Sequence, residues 1–311
     1  MTITADSSAL YKIRHCLPTS VTNSLTRLDK SALDKISEIR LRRNGAATVT
    51  IDGKNAVLTN SGATRQSTFP IKTTKEEIDD FVYKFCKGSI YSFQDSLSEF
   101  YITNDGIRVG LSGNAVYKDK KLISIGDISG ICIRLPHHIE GCSNELYDFV
   151  KENGFPDGKG ILISSSPGIG KTTILRDFAV KLSDVTKEDF RRVCIIDERN
   201  EIYMDKIFDS CCAEFLSGVG KIKGMEIACR VLAPQIIICD EISGPDEAEK
   251  ITKCKNTGFV FIASVHSENA HDALAKEHIQ KMFKEGVFSH IYSLNRIGSK
   301  VTGTLTEFNH A

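Results

Sequence analysis

The stretch "SSSPGIGKTT", Ser164 to Thr173, decides how the rest of the chain reads. It ends like a phosphate-binding loop, Gly170-Lys171-Thr172-Thr173, but Ser165 occupies the place where the motif puts its first glycine. That glycine sits where strand becomes loop, and it often takes dihedrals that cost a residue with a Cβ about 1 kcal/mol. Gly168, Gly170, Lys171 and Thr172 are intact, so the loop is expected to bind phosphate still. Its surroundings agree. The apolar run "ILIS" precedes it, and "KTTILRDFAVKL" follows with Ile174, Leu175, Phe178, Ala179 and Leu182 on one helical face. Strand, loop and helix in that order wrap the backbone N–H groups that follow Pro167, as far as Thr172, around a phosphate at the positive end of the helix. The expected ATP cradle is Ser165, Ser166, Pro167, Gly168, Ile169, Gly170, Lys171, Thr172 and Thr173. Lys171 would reach the β- and γ-phosphates, and Thr172 would hold Mg²⁺.

Downstream partners follow. "QIIICDEI", about seventy residues after Lys171, is an apolar run ending in Asp240-Glu241. An acid at the tip of a buried strand reaches Mg²⁺ through water, here Asp240, and a second can polarise an attacking water. "CIIDERNEI" ends in Asp197 and Glu198, with Arg199 and Glu201 beyond, and "FVFIASVHS" ends at Ser264 and His266. His266 at such a tip reads as a γ-phosphate contact. Near-continuous apolar runs alternating with helix-period segments are what a parallel sheet covered on both faces requires, and ligands bind at its strand tips.

Upstream the pattern is α+β. Residues from about Ala5 to Ile36 read as helical. "EIRLRRNGAATVTID" reads as two strands about Asn44-Gly45, and "TTKEEIDDFVYKFC" as a capped amphipathic helix. "FYITNDGIRVGLSGNAVYKDKKLISIGD" reads as short strands joined by Asn-Asp-Gly and Ser-Gly-Asn turns, and "GICIRLP" as one more strand. Pro136, the helix "NELYDFVKE" and the turn-rich "NGFPDGKG" mark a boundary, giving an α+β domain at residues 1–140 and a P-loop domain at 141–311. The expected fold class is α/β: a C-terminal P-loop (RecA/AAA-like) ATPase domain with a mainly parallel sheet, preceded by a smaller α+β domain.

Forty basic residues balance forty acidic ones among 311, so no overall field draws the chain to nucleic acid or anionic lipid. Apolar runs fall far short of the ~20 residues that span a bilayer. The N-terminus has no apolar signal core, and the ten cysteines show no zinc spacing, which fits a reducing cytosol.

"DERNEI", "PQIIICDEI" and "ASVHS" at these spacings resemble the stage III sporulation protein AA family, a branch of the secretion and pilus ATPases. The resemblance extends upstream through "EIRLRRN", "YSFQDSLSEFYIT" with "GIRVGLSGNAV", and "ISGICIRLPHHIEGC", and so covers nearly the whole chain. It departs at Ser165, which bears on turnover and affinity. The resemblance implies an ATPase that binds ATP and Mg²⁺ and works as a hexameric ring. It implies a place in the mother-cell cytoplasm, docked on membrane-embedded sporulation channel proteins that link mother cell and forespore. It also implies an acidic box at Asp197-Glu198-Arg199 with Glu201, a second acidic motif at Asp240-Glu241 and a histidine box at His266. The general base is open among Asp197, Glu198 and Glu241. Glu241 is favoured because a longer carboxylate directly follows the Mg²⁺ acid. Positive charge on the γ-phosphate, often supplied by a neighbouring subunit, has candidates in Arg40, Arg42, Arg108, Arg134 and Arg230, with Arg134 and Arg230 placed first. Three alternatives remain: a pilus or general secretion ATPase outside sporulation, a nucleic-acid-binding P-loop protein, and a nucleotide-gated scaffold without catalysis, for which Ser165 is the sole support.

Overall fold

The computed structural model describes residues 8–89, 97–104, 106–155, 158–204, 206–255, 258–297 and 300–308. The chain divides into two compact units, residues 3–137 and 138–311. No helix among the described residues is long and apolar enough to cross a membrane.

The N-terminal unit opens with three short helices, α1 Ser8–Ile13, α2 Thr19–Leu25 and α3 Lys30–Leu33. The single helical stretch expected up to Ile36 is therefore corrected. Pro18 stands just before α2, where its missing N–H costs nothing. Asp29 caps α3 by accepting from the Ala32 N–H at 2.8 Å, and Ile36 already opens strand β1, Ile36–Arg42. Residues 5–7 of that stretch lie outside the described residues. The next strands are β2 Thr48–Ile51, β3 Lys54–Thr59 and β4 Gly62–Thr64. Helix α4, Lys75–Phe85, carries the capping box read from its sequence, Thr74 and Glu77 bonding reciprocally.

Strands β5 Tyr101–Asn104, β6 Ile107–Lys118 and β7 Lys121–Arg134 complete an antiparallel sheet in the order β4-β3-β2-β1-β7-β6-β5. Here the sequence reading is corrected again. Ser112-Gly113-Asn114 is not a turn but lies inside β6, and "GICIR" is the end of the long β7. The reversal falls at Asp119-Lys120, both at positive φ. Gly113 serves close approach instead: a Cβ there would stand 2.8 Å from the carbonyl oxygens of Gly126 and Asp127. Asp105 of the Asn-Asp-Gly turn, Pro156-Asp157 of the connector and residues 90–96 of "YSFQDSL" and its neighbour lie outside the described residues.

The second unit begins with helix α5, Asn144–Asn153. Strand β8 Gly160–Ser165 runs into the phosphate-loop candidate and helix α6, Lys171–Ser183. Then come β9 Val193–Asp197, β10 Ala213–Ser217, α7 Lys221–Ile227 with a π turn Ala228–Leu232, and β11 Ile236–Glu241. The unit ends with α8 Pro245–Cys254, β12 Val260–His266, α9 Ala270–Leu274, α10 Glu277–Lys284, β13 Phe288–Ile297 and β14 Lys300–Glu307. The sheet order is β10-β9-β11-β12-β8-β13-β14, with every pair parallel except β13 and β14. Alternate residues of one strand enter two different cores. Leu162, Cys194, Ile196, Ile237 and Cys239 pack on one face, while Ile161, Ile163, Val193, Ile195 and Ile238 pack on the other. That is why these strands read as unbroken apolar runs. Cys194 and Cys239 act there as small hydrophobes, with burial pushing the Cys194 thiol up to about 12.

Candidate functional site

Parallel strands bring their C-terminal tips to one edge of the sheet, so β8, β9, β11 and β12 gather the loop after Ser165, Asp197, Asp240-Glu241 and His266 at that edge. Ser165 is the last residue of β8 and fully buried. Its φ is not among the positive ones, and its hydroxyl donates to the Ser166 carbonyl at 2.8 Å. The strand continues through this position in ordinary geometry, so a Cβ here carries no backbone strain. The left-handed conformations fall on Gly168 and Gly170, at φ of 75° and 124°. A Cβ built at either meets nothing within 4 Å, so both residues border open space.

A chain of contacts begins at the next residue, Lys171. The Lys171 Nζ donates to the Ser165 carbonyl at 3.2 Å and to His266 Nδ1 at 2.7 Å. The opposite ring nitrogen, Nε2, faces Glu241 Oε2 at 3.3 Å. With Nδ1 accepting from an ammonium, the ring proton sits on Nε2 and points at the carboxylate. Burial pulls the Lys171 ammonium below its ordinary value, against the opposing effect of Glu241 and Asp240. A register irregularity in β11 aims the acids. Ile238 pairs with Ile262 but Glu241 with Ser264, so three residues advance against two. Glu241 thereby sits opposite a residue two before His266 on the same strand face.

Asp240 is half-buried beside other acids. Burial, then Glu201, Asp197 and Glu241, push its carboxyl up to about 6, with Arg199 opposing. A cation near this group would relieve that cost. Two hydroxyls flanking His266, those of Ser264 and Ser267, are buried without a hydrogen-bond partner among the described residues. Open glycine backbone, a buried lysine, orphan hydroxyls and a charge-raised carboxyl fit a nucleotide phosphate with its metal ion. Among the described residues, no group of three or more His, Cys, Asp or Glu is placed to hold a metal directly. Thr172, in the first turn of α6 behind Lys171, is half-buried.

Asp197 has a different occupation. Fully buried, it accepts the backbone N–H of Glu201 at 2.8 Å on one oxygen, and those of Ile202 and Tyr203 at 2.9 Å on the other. Burial pushes its carboxyl up while these three donors pull against it. Glu198 pairs with buried Lys221 at 3.3 Å, which also meets Glu247 at 3.3 Å. Arg134 faces Glu38 at 3.9 Å in the N-terminal unit, and Arg230 is exposed on the π turn after α7. Arg42 donates to the Ala46 carbonyl, Arg40 pairs with Glu38, and Arg108 lies over the Tyr101 ring, all within the N-terminal unit. The structure thus brings together Ser165, Lys171, Glu241 and His266 by direct contact. It places Asp197, Glu198 and Arg134 in other partnerships, and Arg230 at an exposed position on the π turn.

Sequence reasoning missed four residues. Arg176 is buried on α6 and holds the acidic-box loop by donating to the carbonyls of Ile202, at 2.7 Å, and Glu201. Asp177 beside it accepts from the Gly141 N–H at 3.1 Å and from the Ser143 N–H and hydroxyl at 2.8 and 2.6 Å. A charged pair inside "ILRDFAV" was the available signal. Lys276 donates to the His266 carbonyl at 2.5 Å, and Arg296 at the end of β13 donates to the Gly168 carbonyl at 3.3 Å. Neither has a local sequence signature, because each arrives from a remote element.

Two solved structures share the fold. The Legionella pneumophila ATPase DotB aligns with a TM-score of 0.59 at 13% identity, over 87% of this chain and 76% of that one. The pilus retraction motor PilT with bound ADP aligns with a TM-score of 0.59 at 16% identity, over 91% and 82%. Among curated proteins, stage III sporulation protein AA of Bacillus subtilis strain 168 is 25% identical, over 96% of this chain and 94% of that protein. The family described as "Sporulation stage III, protein AA" matches residues 10–307. This chain belongs to that family.

Proposed function

We propose that the protein is a secretion-type ATPase that binds ATP at Ser165–Thr173 and hydrolyses it. The observation that carries this reading is the contact chain Lys171–His266–Glu241, which begins at the residue directly after the open Gly168–Gly170 backbone. The N–H groups of the loop cradle the phosphates, and Lys171 neutralises their charge. Mg²⁺ bound with the nucleotide would take the Thr172 hydroxyl and, through water, Asp240, and would supply charge neutralisation on the phosphate oxygens. Glu241 is the acid with a carboxylate oxygen committed to nothing stronger than a half-exposed histidine, so it is the general base, accepting the proton of the attacking water. Asp197 spends both oxygens on backbone donors and sets the shape of the loop carrying Glu198 and Arg199. Glu198 is tied to Lys221.

The sporulation family supports a role with membrane-embedded channel proteins, and assembly as a hexamer in which a neighbour supplies the positive charge that Arg134 and Arg230 were expected to give. A scaffold reading leaned on Ser165, and the ordinary geometry of that residue removes its support. The test is ATP hydrolysis across protein concentration with Mg²⁺, beside Lys171→Ala and Glu241→Gln. Turnover rising more than linearly with concentration, and lost in both variants, is expected. Undiminished turnover in Glu241→Gln would move the base elsewhere.

A further inference from the structure

Lys171 has partners of its own within the protein. It is 7% exposed, and its ammonium is engaged by the Ser165 carbonyl and by His266 Nδ1, the shorter of the two contacts. The main chain of His266 is held from both sides. Its strand pairs with Ser165, the following Ser267 N–H bonds to the Ser165 carbonyl at 3.2 Å, and Lys276 clamps the His266 carbonyl. The ring is the part free to move, with 40% of the side chain exposed. Its two nitrogens serve two partners at once, so a single rotation breaks the contact to Lys171 and the contact to Glu241 together.

We propose that His266 is a resting-state latch: it competes with phosphate for Lys171, and its displacement by an arriving nucleotide releases the Glu241 carboxylate at the same moment. The base is thus kept occupied until the phosphate position is filled. This inference rests on the nucleotide-site reading given above and adds to it a regulatory role for the histidine. It also separates from a role as γ-phosphate contact. A γ-phosphate contact has no bearing on ADP, which lacks that group. A latch must be opened by ADP as well, because Lys171 reaches the β-phosphate.

The experiment is calorimetric titration of ADP with Mg²⁺ into the full chain, for the wild type, His266→Ala and His266→Phe. The two variants differ in bulk and share the loss of the ring acceptor, so one remains informative if the other folds poorly. Removing the competitor is expected to tighten ADP binding in both by roughly three- to tenfold, the effect of no longer breaking one hydrogen bond, while ATP turnover falls. A merely structural histidine would not give tighter binding on removal. Unchanged or weaker ADP binding in a folded variant, beside a wild type that binds, overturns the latch and leaves the nucleotide site standing. A wild type that binds neither ADP nor ATP overturns the nucleotide site and the latch with it.

Discussion

Restoring glycine at the first position of the loop, Ser165→Gly, is expected to harm the protein rather than repair it. Ser165 ends β8 without positive φ, so glycine relieves no strain. The substitution removes the hydroxyl bond to the Ser166 carbonyl, 2.8 Å long and at a fully buried residue, for a net loss of about 0.5–1.5 kcal/mol. It also enlarges the conformational freedom of the unfolded chain, which costs about 0.5–1 kcal/mol for a glycine in a strand. Together these give a destabilisation of about 2 kcal/mol. In a unit of this size that lowers the melting temperature by roughly 4–8 °C. In the proposed site the backbone that would face phosphate is that of Gly168 and Gly170, so ADP affinity should move by less than about threefold, under 1 kcal/mol. Thermal and urea unfolding give the first number and calorimetry with ADP the second. Tighter binding by about tenfold, or a gain in stability, would show that Ser165 distorts the loop.

Three further outcomes follow from particular contacts. Asp197→Ala leaves three backbone N–H groups near a buried position without their acceptor and is expected to cost about 3 kcal/mol or more in urea unfolding; a loss below about 1 kcal/mol would return Asp197 to the list of free carboxylates. Gly160→Ala would place a Cβ 1.6 Å from the Phe261 carbonyl oxygen, so soluble yield of the full chain should collapse, and a variant of wild-type stability would refute the β8–β12 register. His138 is buried, with Nδ1 lacking a partner among the described residues, and burial, partly opposed by Asp177, holds its imidazole below the ordinary value. The unfolded chain therefore binds the proton more readily, and stability should fall as pH drops through about 6.5; His138→Gln should flatten that decline between neutral and mildly acidic pH, and parallel melting curves would exclude the histidine.

Much of the sheet edge that carries the candidate site was legible because buried parallel strands announce themselves. "ILISS", "CIIDE", "QIIICDE" and "FVFIASV" are β8, β9, β11 and β12, with the charged or polar residues beginning where each strand ends. Strands β10, β13 and β14 were not read. Buried Ser289, His290 and Ser293 interrupt the apolar signal of β13, and Ser293 is satisfied there by Ser164 at 2.9 Å, a partner 129 residues away. In the N-terminal unit, Ser112-Gly113-Asn114 has turn composition, but its glycine answers a carbonyl contact across strands that no local pattern records. The candidate residues of the site could be found in the sequence, whereas their division of labour could not. That Glu241 meets His266 depends on one extra residue in the register of β11, and that Asp197 faces inward depends on the fold of the loop it holds.

Whether the loop beginning at Ser165 is a working nucleotide site is decided by binding of ADP with Mg²⁺ to the full chain, compared with Lys171→Ala. A working site gives saturable binding at one site per chain, weakened at least about tenfold when the Lys171 ammonium is removed, consistent with the loss of a charge-assisted contact to phosphate. Absence of binding, or equal binding by both proteins, would contradict it.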